Sequence, residues 1–266
     1  MSFYWIYDLP LLVSFILIAG FFALYAVTGL WIAQRTLHKK IGYSCERNEQ
    51  VNSFMSSIGV FYGITLGLVA VGTWENFEQV QERVTRECAV LGALYRDVSN
   101  FPEPTRTTLQ NHLQEYTLYT IKEAWPLQRQ GIFPTKGIGM LNQFQKDLYS
   151  FSPIDDRQEI VFSETLRIYN DFLTERRQRL VSVHIGLPGV VWLITIVGAL
   201  LSISFFWFFI MENKKIQTTF TFIIAFFIGT MIYLITMLDN PYRGKISVKP
   251  DSFKILYQQM QNTIDD

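Results

Sequence analysis

The residues best placed for chemistry are small and weakly polar, and they recur every three or four positions between residues 52 and 70. On a helix that turns by about 100° per residue they fall within about a sixth of the circumference, and Trp74 continues the line. The members of this small-residue stripe are Asn52, Ser56, Gly59, Gly63, Gly67 and Ala70.

Such a stripe has two uses in a membrane. Small residues let helix backbones pack closely where lipid gives no hydrophobic drive for association. They also suit the wall of a narrow oligomeric pore, where exposed backbone dipoles replace part of an ion's hydration shell. A pore needs a constriction as well, for which Val60 or a nearby aromatic residue is the candidate. Both interpretations stay open from the stripe alone.

Four apolar windows must position these residues. They cover about residues 9–34, 53–74, 185–211 and 217–238. Each meets or exceeds the roughly 20 apolar residues that cross about 30 Å of hydrocarbon. The sequence therefore predicts an all-α polytopic membrane protein with four transmembrane helices, and the stripe lies on the second.

About 110 polar residues separate the second window from the third, and their apolar positions follow helical spacing. Proline and glycine in the stretch WPLQRQGIFPTKGIG, residues 125–139, indicate a loop. Ser152, Asp155 or Asp156 is expected to cap the helix that follows. These features predict a helical bundle inserted between the second and third transmembrane helices. The predicted division is 1–74 for the first two transmembrane helices, 75–181 for the bundle, 182–238 for the other two helices, and 239–266 for a tail that packs near the bundle.

Ionisable side chains are confined to the ends of the windows. No Asp, Glu, Lys or Arg lies well inside any of them. Because burying a charge in a membrane is costly and marks function, this argues against proton relays and against transport coupled through a buried charge. The candidates for attracting ions at a membrane end, or for anchoring a helix there, are Trp74, Glu75, Asp239, Arg243 and Lys245.

The stretch DNPYRG, which directly follows the fourth window, has alternative interpretations. Asp239 or Asn240 can accept hydrogen bonds from nearby backbone N–H groups while Pro241 ends the helix, which would make the stretch a structural clamp between tail and bundle. As an ion site, it would attract anions through Arg243 and Lys245, or hold a cation at Asp239.

Other functional classes lack a motif in this chain. No nucleotide-binding loop, nucleophile elbow or defensible pair of carboxylates is present, so an enzyme with catalytic residues is not expected. The three histidines are scattered and the two cysteines lie on either side of the second window, so neither a metal site nor a cofactor is expected. No nucleic-acid partner is expected either.

The loop charges bear on orientation. Four spans would place both termini and the bundle on one side of the membrane. The short loops carry Arg35, Lys39, Lys40, Arg47, Lys214 and Lys215. The positive-inside rule puts these loops in the cytoplasm and the bundle outside. Basic residues before the third window and after the fourth oppose this, but the rule weakens for long segments, so the short loops favour an outward bundle by a small margin.

Four blocks of the sequence resemble one family. RNEQVNSFMSSIGVFYGITLGLVAVGTWENF resembles the signature Asn-Glu-Val-x-Gly-Phe followed by a glycine-containing span that ends in Trp-Glu. LYRDVSNFPEPTR, EYTLYTIKEAWP and LDNPYRGKISVKPDSF resemble three further blocks, the last of them specific. Together they resemble the bestrophin-like group of bacterial membrane proteins over nearly the whole chain. Ser53 and Tyr242 depart from the usual residues.

The resemblance implies more than the spacing does. Bestrophins are pentameric anion-selective channels with four membrane helices per subunit, a helical cytosolic domain and a pore lined by the second helix. By this resemblance the chain forms a homopentamer in the lipid of a bacterial inner membrane and conducts inorganic anions. The resemblance also places the bundle in the cytosol, against the short-loop charges. The alternative hypothesis is a non-conducting membrane scaffold or sensor whose bundle binds a partner or ligand.

Overall fold

The computed structural model describes residues 5–42 and 44–265, and within this part of the chain every regular element is helical. The predicted all-α class is therefore confirmed. Residues 1–4, 43 and 266, which the predicted division includes, lie outside the described residues. The α-helices are α1 (Trp5–Asp8), α2 (Leu11–Ile41), α3 (Cys45–Val98), α4 (Thr105–Tyr119), α5 (Trp125–Arg129), α6 (Lys136–Ser150), α7 (Asp156–Val181), α8 (Gly189–Phe205), α9 (Lys214–Asp239) and α10 (Asp251–Asp265).

The described residues divide into two compact units. Unit 1 comprises the residues up to Asn76 together with Gly186–Asp239 and Gly244–Ile246. Unit 2 comprises Phe77–Ile185, Asn240–Arg243 and the residues from Ser247 onward. Helix α3 has 54 residues and contributes its first part to unit 1 and its second part to unit 2.

In unit 1, helices α2 and α9 pack antiparallel. The Tyr233 hydroxyl donates to the carbonyl of Leu11 at 3.1 Å, near the start of α2 and the end of α9. Toward the other end, the Gln34 amide donates to the Gln217 side-chain oxygen at 3.3 Å. The basic end of α2 therefore lies at the same end of unit 1 as the start of α9.

Helices α2, α3 and α9 are each long and apolar enough to cross a membrane. Helix α8 is apolar but has only 17 residues, or about 26 Å at about 1.5 Å per residue. It is shorter than the predicted window 185–211 because Pro188 precedes its first turn and the helix ends at Phe205. The chain then turns, and the Trp207 indole donates to the carbonyl of Ala26 at 3.2 Å.

Unit 2 has its own apolar core, to which α3, α4, α6, α7 and α10 contribute. Phe144, Phe172 and Phe253 are fully buried in it. The loop predicted over residues 125–139 is shorter in the structure, because α5 continues to Arg129 and α6 begins at Lys136.

Capping at α7 follows the sequence. Asp155, one of the three predicted caps, accepts a hydrogen bond from the Gln158 backbone N–H at 2.7 Å, as the first turn of a helix requires.

The core of unit 2 also encloses an ion pair. Arg179 donates through Nε and Nη2 to the Glu87 carboxylate, and both side chains are fully buried. The Tyr116 hydroxyl donates to Glu87 at 3.2 Å and accepts from Arg176 Nε at 3.0 Å. Burial, followed by the charge of Glu87, raises the pKa of Tyr116 to about 12, so this hydroxyl keeps its proton at neutral pH. Each oxygen of the Glu87 carboxylate is thus compensated inside the core.

Candidate functional site

The first part of helix α3 presents three different faces. One face packs on the other helices of unit 1 through Leu66 and Thr73, both buried, and through Tyr62, whose hydroxyl donates to the carbonyl of Thr195 at 2.9 Å. The small-residue stripe forms the second face, about a quarter of a turn away at about 100° per residue. Bulky apolar side chains form the third.

Most of the stripe is uncovered. Asn52, Ser56, Gly59 and Gly63 are exposed, and Gly67 is half-buried. A Cβ atom added at Gly59, Gly63 or Gly67 would meet no heavy atom within 4 Å. These glycines therefore do not serve close packing against any described part of their own chain.

Other glycines of unit 1 show what close packing within the chain looks like. A Cβ added at Gly198 would lie 2.6 Å from the ring of Tyr62. One added at Gly229 would lie 2.7 Å from the Cα of Ala19 on the neighbouring helix. Gly198 on α8 and Gly229 on α9 are thus packed against their neighbours, whereas Gly59, Gly63 and Gly67 on α3 are open. Gly20 on α2 and Gly189 on α8 are open as well.

Ala70 differs from the rest of the stripe. It is only 9% exposed and belongs to the apolar core of unit 1, together with Leu66 and Ile203. Ala70 lies at the same angle on α3 as the exposed Asn52 but five turns further along the helix, where the neighbouring helices cover the stripe. The prediction that Ala70 faces the same open space as Gly59 and Gly63 is not met in this structure.

Two polar side chains on the stripe have uncommitted hydrogen-bonding groups. Ser53, Ser57 and Thr65 lie off the stripe, and each donates its hydroxyl to a backbone carbonyl four residues earlier. Ser56 and Asn52 form no such bond with any described residue, and both are exposed. Their O–H and N–H groups are available to water or to an ion.

The third face of α3 is apolar and equally uncovered. Val60 is 61% exposed and lies beside the stripe, between Gly59 and Gly63 in height. Phe61, Ile64 and Leu68 continue this face with more than half of each side chain exposed. A water-soluble chain would not leave such a surface open, so lipid or another protein copy must cover it.

The candidates at the helix ends have different surroundings. Trp74 and Glu75 are exposed on α3 at the end of the apolar segment. Asp239 ends α9, is half-buried, and accepts hydrogen bonds from the Leu187 backbone N–H at 2.5 Å and from the Trp192 indole N–H at 3.0 Å. These bonds tie the end of α9 to the start of α8 within unit 1, and the predicted clamp between tail and bundle stays a prediction.

The two basic candidates, Arg243 and Lys245, also differ in their surroundings. Arg243 donates through Nη2 to the carbonyl of Gln130 at 2.8 Å, and its guanidinium lies against Gly131, where an added Cβ would approach it to 2.3 Å. Arg243 is thus engaged within unit 2, whereas Lys245 is exposed in unit 1. In the ranges 5–42 and 44–265, no three His, Cys, Asp or Glu side chains gather as a metal site would need.

Sequence reasoning missed the buried pair of Glu87 and Arg179. A signal was present, because Glu87 interrupts the apolar stripe of Val80, Val84 and Leu91 and so had to be buried with a partner. No sequence pattern near Glu87 identifies Arg179 as its partner, because the two residues lie 92 positions apart.

Fold and site together define a helical membrane protein with an uncovered small-residue face. A model of the bestrophin-like domain matches residues 20–253, and the chain belongs to the bestrophin-like family. No curated protein sequence matches the chain.

Solved structures show the same fold at low sequence identity. A tryptophan-to-alanine variant of a bacterial bestrophin homologue from Klebsiella pneumoniae has a TM-score of 0.73 and 12% identity, covering 93% of this chain and 97% of that one. A zinc-phased structure of the Klebsiella pneumoniae homologue gives 0.71 and 12%, with 92% and 98% covered. A proline-to-alanine variant described as a membrane protein gives 0.69 and 11%, with 95% and 99% covered.

Proposed function

We propose that this protein is an oligomeric ion channel that conducts anions, with α3 as the pore-lining helix. The observation that carries the proposal is the uncovered stripe of Asn52, Ser56, Gly59, Gly63 and Gly67. Small residues on a membrane helix are used either against another helix or against a path for ions. Since no helix among residues 5–42 and 44–265 covers them, several copies of α3 around an axis would give the stripe a use.

The chemistry of the stripe favours anions over cations. Between residues 52 and 74 helix α3 carries no Asp or Glu, and rings of carboxylates are what cation pathways use. Asn52 and Ser56 instead offer exposed N–H and O–H donors that can replace water around an anion. In this proposal Val60, beside the stripe, narrows the path.

The proposal includes four transmembrane helices, α2, α3, α8 and α9. Seventeen residues put α8 at the short end of the range of about 17–25 that spans a bilayer. Residues 75–181 would then be the extramembrane bundle, with residues 239–266 as a tail beside it. The resemblance supports five subunits in a bacterial inner membrane. Short-loop charges support an outward bundle, and labelling of an introduced surface cysteine on α7 in intact cells decides between outward and cytosolic.

The test is ion flux into liposomes that contain the purified protein, measured for halide and for potassium. Gly63→Leu places a large side chain on the stripe and is expected to abolish halide flux. Gly72→Leu is the matched control, because Gly72 is also open within the chain but lies on the other side of α3. It is expected to keep flux near the wild-type value.

The outcomes separate the hypotheses. Halide flux that Gly63→Leu retains would show that the stripe is not the path. Absence of flux from the wild type under varied pH, voltage and calcium would instead favour the scaffold or sensor, with the glycines packed between copies.

Oligomeric state is the cheaper measurement. The proposal expects a stable oligomer in mild detergent by light scattering, for wild type and Gly63→Leu alike. A monomer would contradict the proposal, because the stripe of a single chain is an open face that encloses no path for ions.

A further inference from the structure

A groove in unit 1 combines charge, hydroxyl groups and an apolar floor. It measures about 480 Å³ and lies between α2 and the first two turns of α9. Its lining residues are Val27, Lys214, Lys215, Thr218, Thr219 and Phe222. It lies away from the small-residue stripe, because none of its lining residues belongs to α3.

The charge in the groove is positive and unneutralised. Lys214 and Lys215 are exposed, and neither forms an ion pair with any described residue. Glu212 is the nearest carboxylate in sequence, but it is exposed and does not line the groove. An anion that enters the groove therefore gains both lysine charges without displacing an internal partner.

The hydroxyl groups act as acceptors. Thr218 donates its hydroxyl to the carbonyl of Lys214 at 2.9 Å, and Thr219 donates to that of Lys215 at 3.0 Å. Since each hydroxyl hydrogen is used within the helix, each oxygen has only lone pairs to offer. The groove thus complements a ligand that has a negative group for the lysines and O–H donors for the threonines.

The apolar floor lies further along α9 from the basic end of unit 1 than the lysines do. Phe222 follows Lys214 by eight residues, which is about 12 Å along α9 at about 1.5 Å per residue. Val27 faces the same groove from α2. This vertical order, with cations at the helix end and carbon below, matches the order of headgroup and acyl chain in a phospholipid.

We propose that this groove binds an anionic phospholipid whose headgroup carries hydroxyl groups, as phosphatidylglycerol does. The phosphate lies by Lys214 and Lys215, the glycerol hydroxyls donate to Thr218 and Thr219, and an acyl chain covers Val27 and Phe222. An ethanolamine headgroup is disfavoured, because its ammonium would face two lysines.

The test uses the purified full-length protein in detergent with phosphatidylglycerol, and native mass spectrometry counts the lipid retained. Lys214→Gln combined with Lys215→Gln is expected to weaken retention about tenfold or more, in line with the electrostatic effect of two basic residues at a membrane surface. The matched control is Lys39→Gln combined with Lys40→Gln, which removes the same charge at the same end of unit 1 but outside the groove. It is expected to retain lipid within about twofold of the wild type.

Three results would overturn the proposal. Equal loss in both double variants would mean diffuse attraction to the basic end instead of a site. Equal retention of phosphatidylcholine would remove the role of charge. Displacement of the lipid by millimolar inorganic phosphate would identify a phosphate site with no lipid specificity.

A second variant tests the hydroxyl chemistry without changing charge. Thr219→Val keeps the shape of the side chain and removes the acceptor. It is expected to reduce the preference for phosphatidylglycerol over phosphatidic acid, which has no headgroup glycerol. An unchanged preference would contradict the assignment of the threonine oxygens.

Discussion

The two units of this chain differ in how far they bury their large apolar side chains. Unit 2 buries its large apolar residues completely, as Phe144, Phe172 and Phe253 show. Unit 1 leaves Phe61 74% exposed and Leu68 69% exposed on the same helix, α3, whose later part belongs to the core of unit 2. One continuous helix thus changes from an uncovered surface to a packed one.

This difference indicates what each unit needs from its surroundings. The core of unit 2 is built from a single copy of the chain, including the charge pair of Glu87 and Arg179. The apolar exterior of unit 1 requires lipid, and the open glycines of α3 require either another copy or a path for ions. Packing in unit 2 therefore serves stability, and the open face of unit 1 is where we propose that ions pass.

The largest stability effect is expected from Glu87→Gln. Gln keeps the shape but removes the charge, which leaves Arg179 buried without a counter-charge. Breaking a buried pair from one side costs about 3–5 kcal/mol. Thermal unfolding, followed by tryptophan fluorescence in detergent, should show a much lower midpoint.

The matched control for this prediction is Glu82→Gln. Glu82 pairs with Arg86, and both side chains are more than half exposed. Exposed pairs contribute about 0–1 kcal/mol, so the midpoint should hardly move. If both substitutions lowered the thermal midpoint equally, the contrast between the buried and the exposed ion pair would be wrong, because burial would not change what the pair contributes to stability.

An intermediate effect is expected where glycines differ in their surroundings. Gly229→Ala forces a methyl group to within 2.7 Å of the Ala19 Cα, and overpacking of this kind costs about 1–3 kcal/mol. Gly59→Ala meets no heavy atom of the described residues and, because alanine is the better helix former, should leave the thermal midpoint of a dissociated monomer unchanged or slightly raised.

In the oligomer, Gly59→Ala separates packing from a path for ions. If α3 packs tightly against another copy at Gly59, the added methyl group should weaken assembly in light scattering. If Gly59 faces an open path, assembly should remain intact. Equal destabilisation by Gly229→Ala and Gly59→Ala in the monomer would contradict the distinction between packed and open glycines.

The smallest effect concerns pH. Hydrogen bonds from Gln143, and then from His112 at 2.7 Å, hold the pKa of Asp147 below its usual value of 3.8. A carboxylate with a lowered folded-state pKa contributes stability above the unfolded pKa and loses it as the pH falls through the folded value. Thermal midpoints should therefore decline below about pH 4, and Asp147→Asn should flatten part of that decline. An identical pH profile in the variant would contradict the assignment.

Local patterns of the sequence predicted much of the fold. The apolar windows gave α2, α3 and α9 because hydropathy and helical period depend only on neighbouring residues. The cap at Asp155 was predictable for the same reason. The predicted window 185–211 was longer than α8. Apolar residues continue on both sides of this helix, but Pro188 sets its start and a turn follows Phe205.

Less of the candidate site could be predicted. Spacing placed Asn52, Ser56 and the glycines on one face of α3, but it also placed Ala70 there. A helical wheel treats every turn alike, whereas the neighbouring helices cover α3 at Ala70 and leave it open at Gly59 and Gly63. The partners of Asp239 were likewise undetermined, because Leu187 and Trp192 lie 52 and 47 positions away.

The sequence by itself determined that this is a helical membrane protein of the bestrophin-like family with a stripe of small residues on α3. The helical membrane class follows from the composition of the apolar windows, the stripe follows from periodicity along one helix, and the family follows from sequence motifs and from the domain match over residues 20–253. Only the tertiary structure decided which glycines are packed and which are open, and which charge is paired inside a core. Those properties depend on residues far apart in the chain, such as Gly229 with Ala19 and Glu87 with Arg179, and no local spacing encodes them.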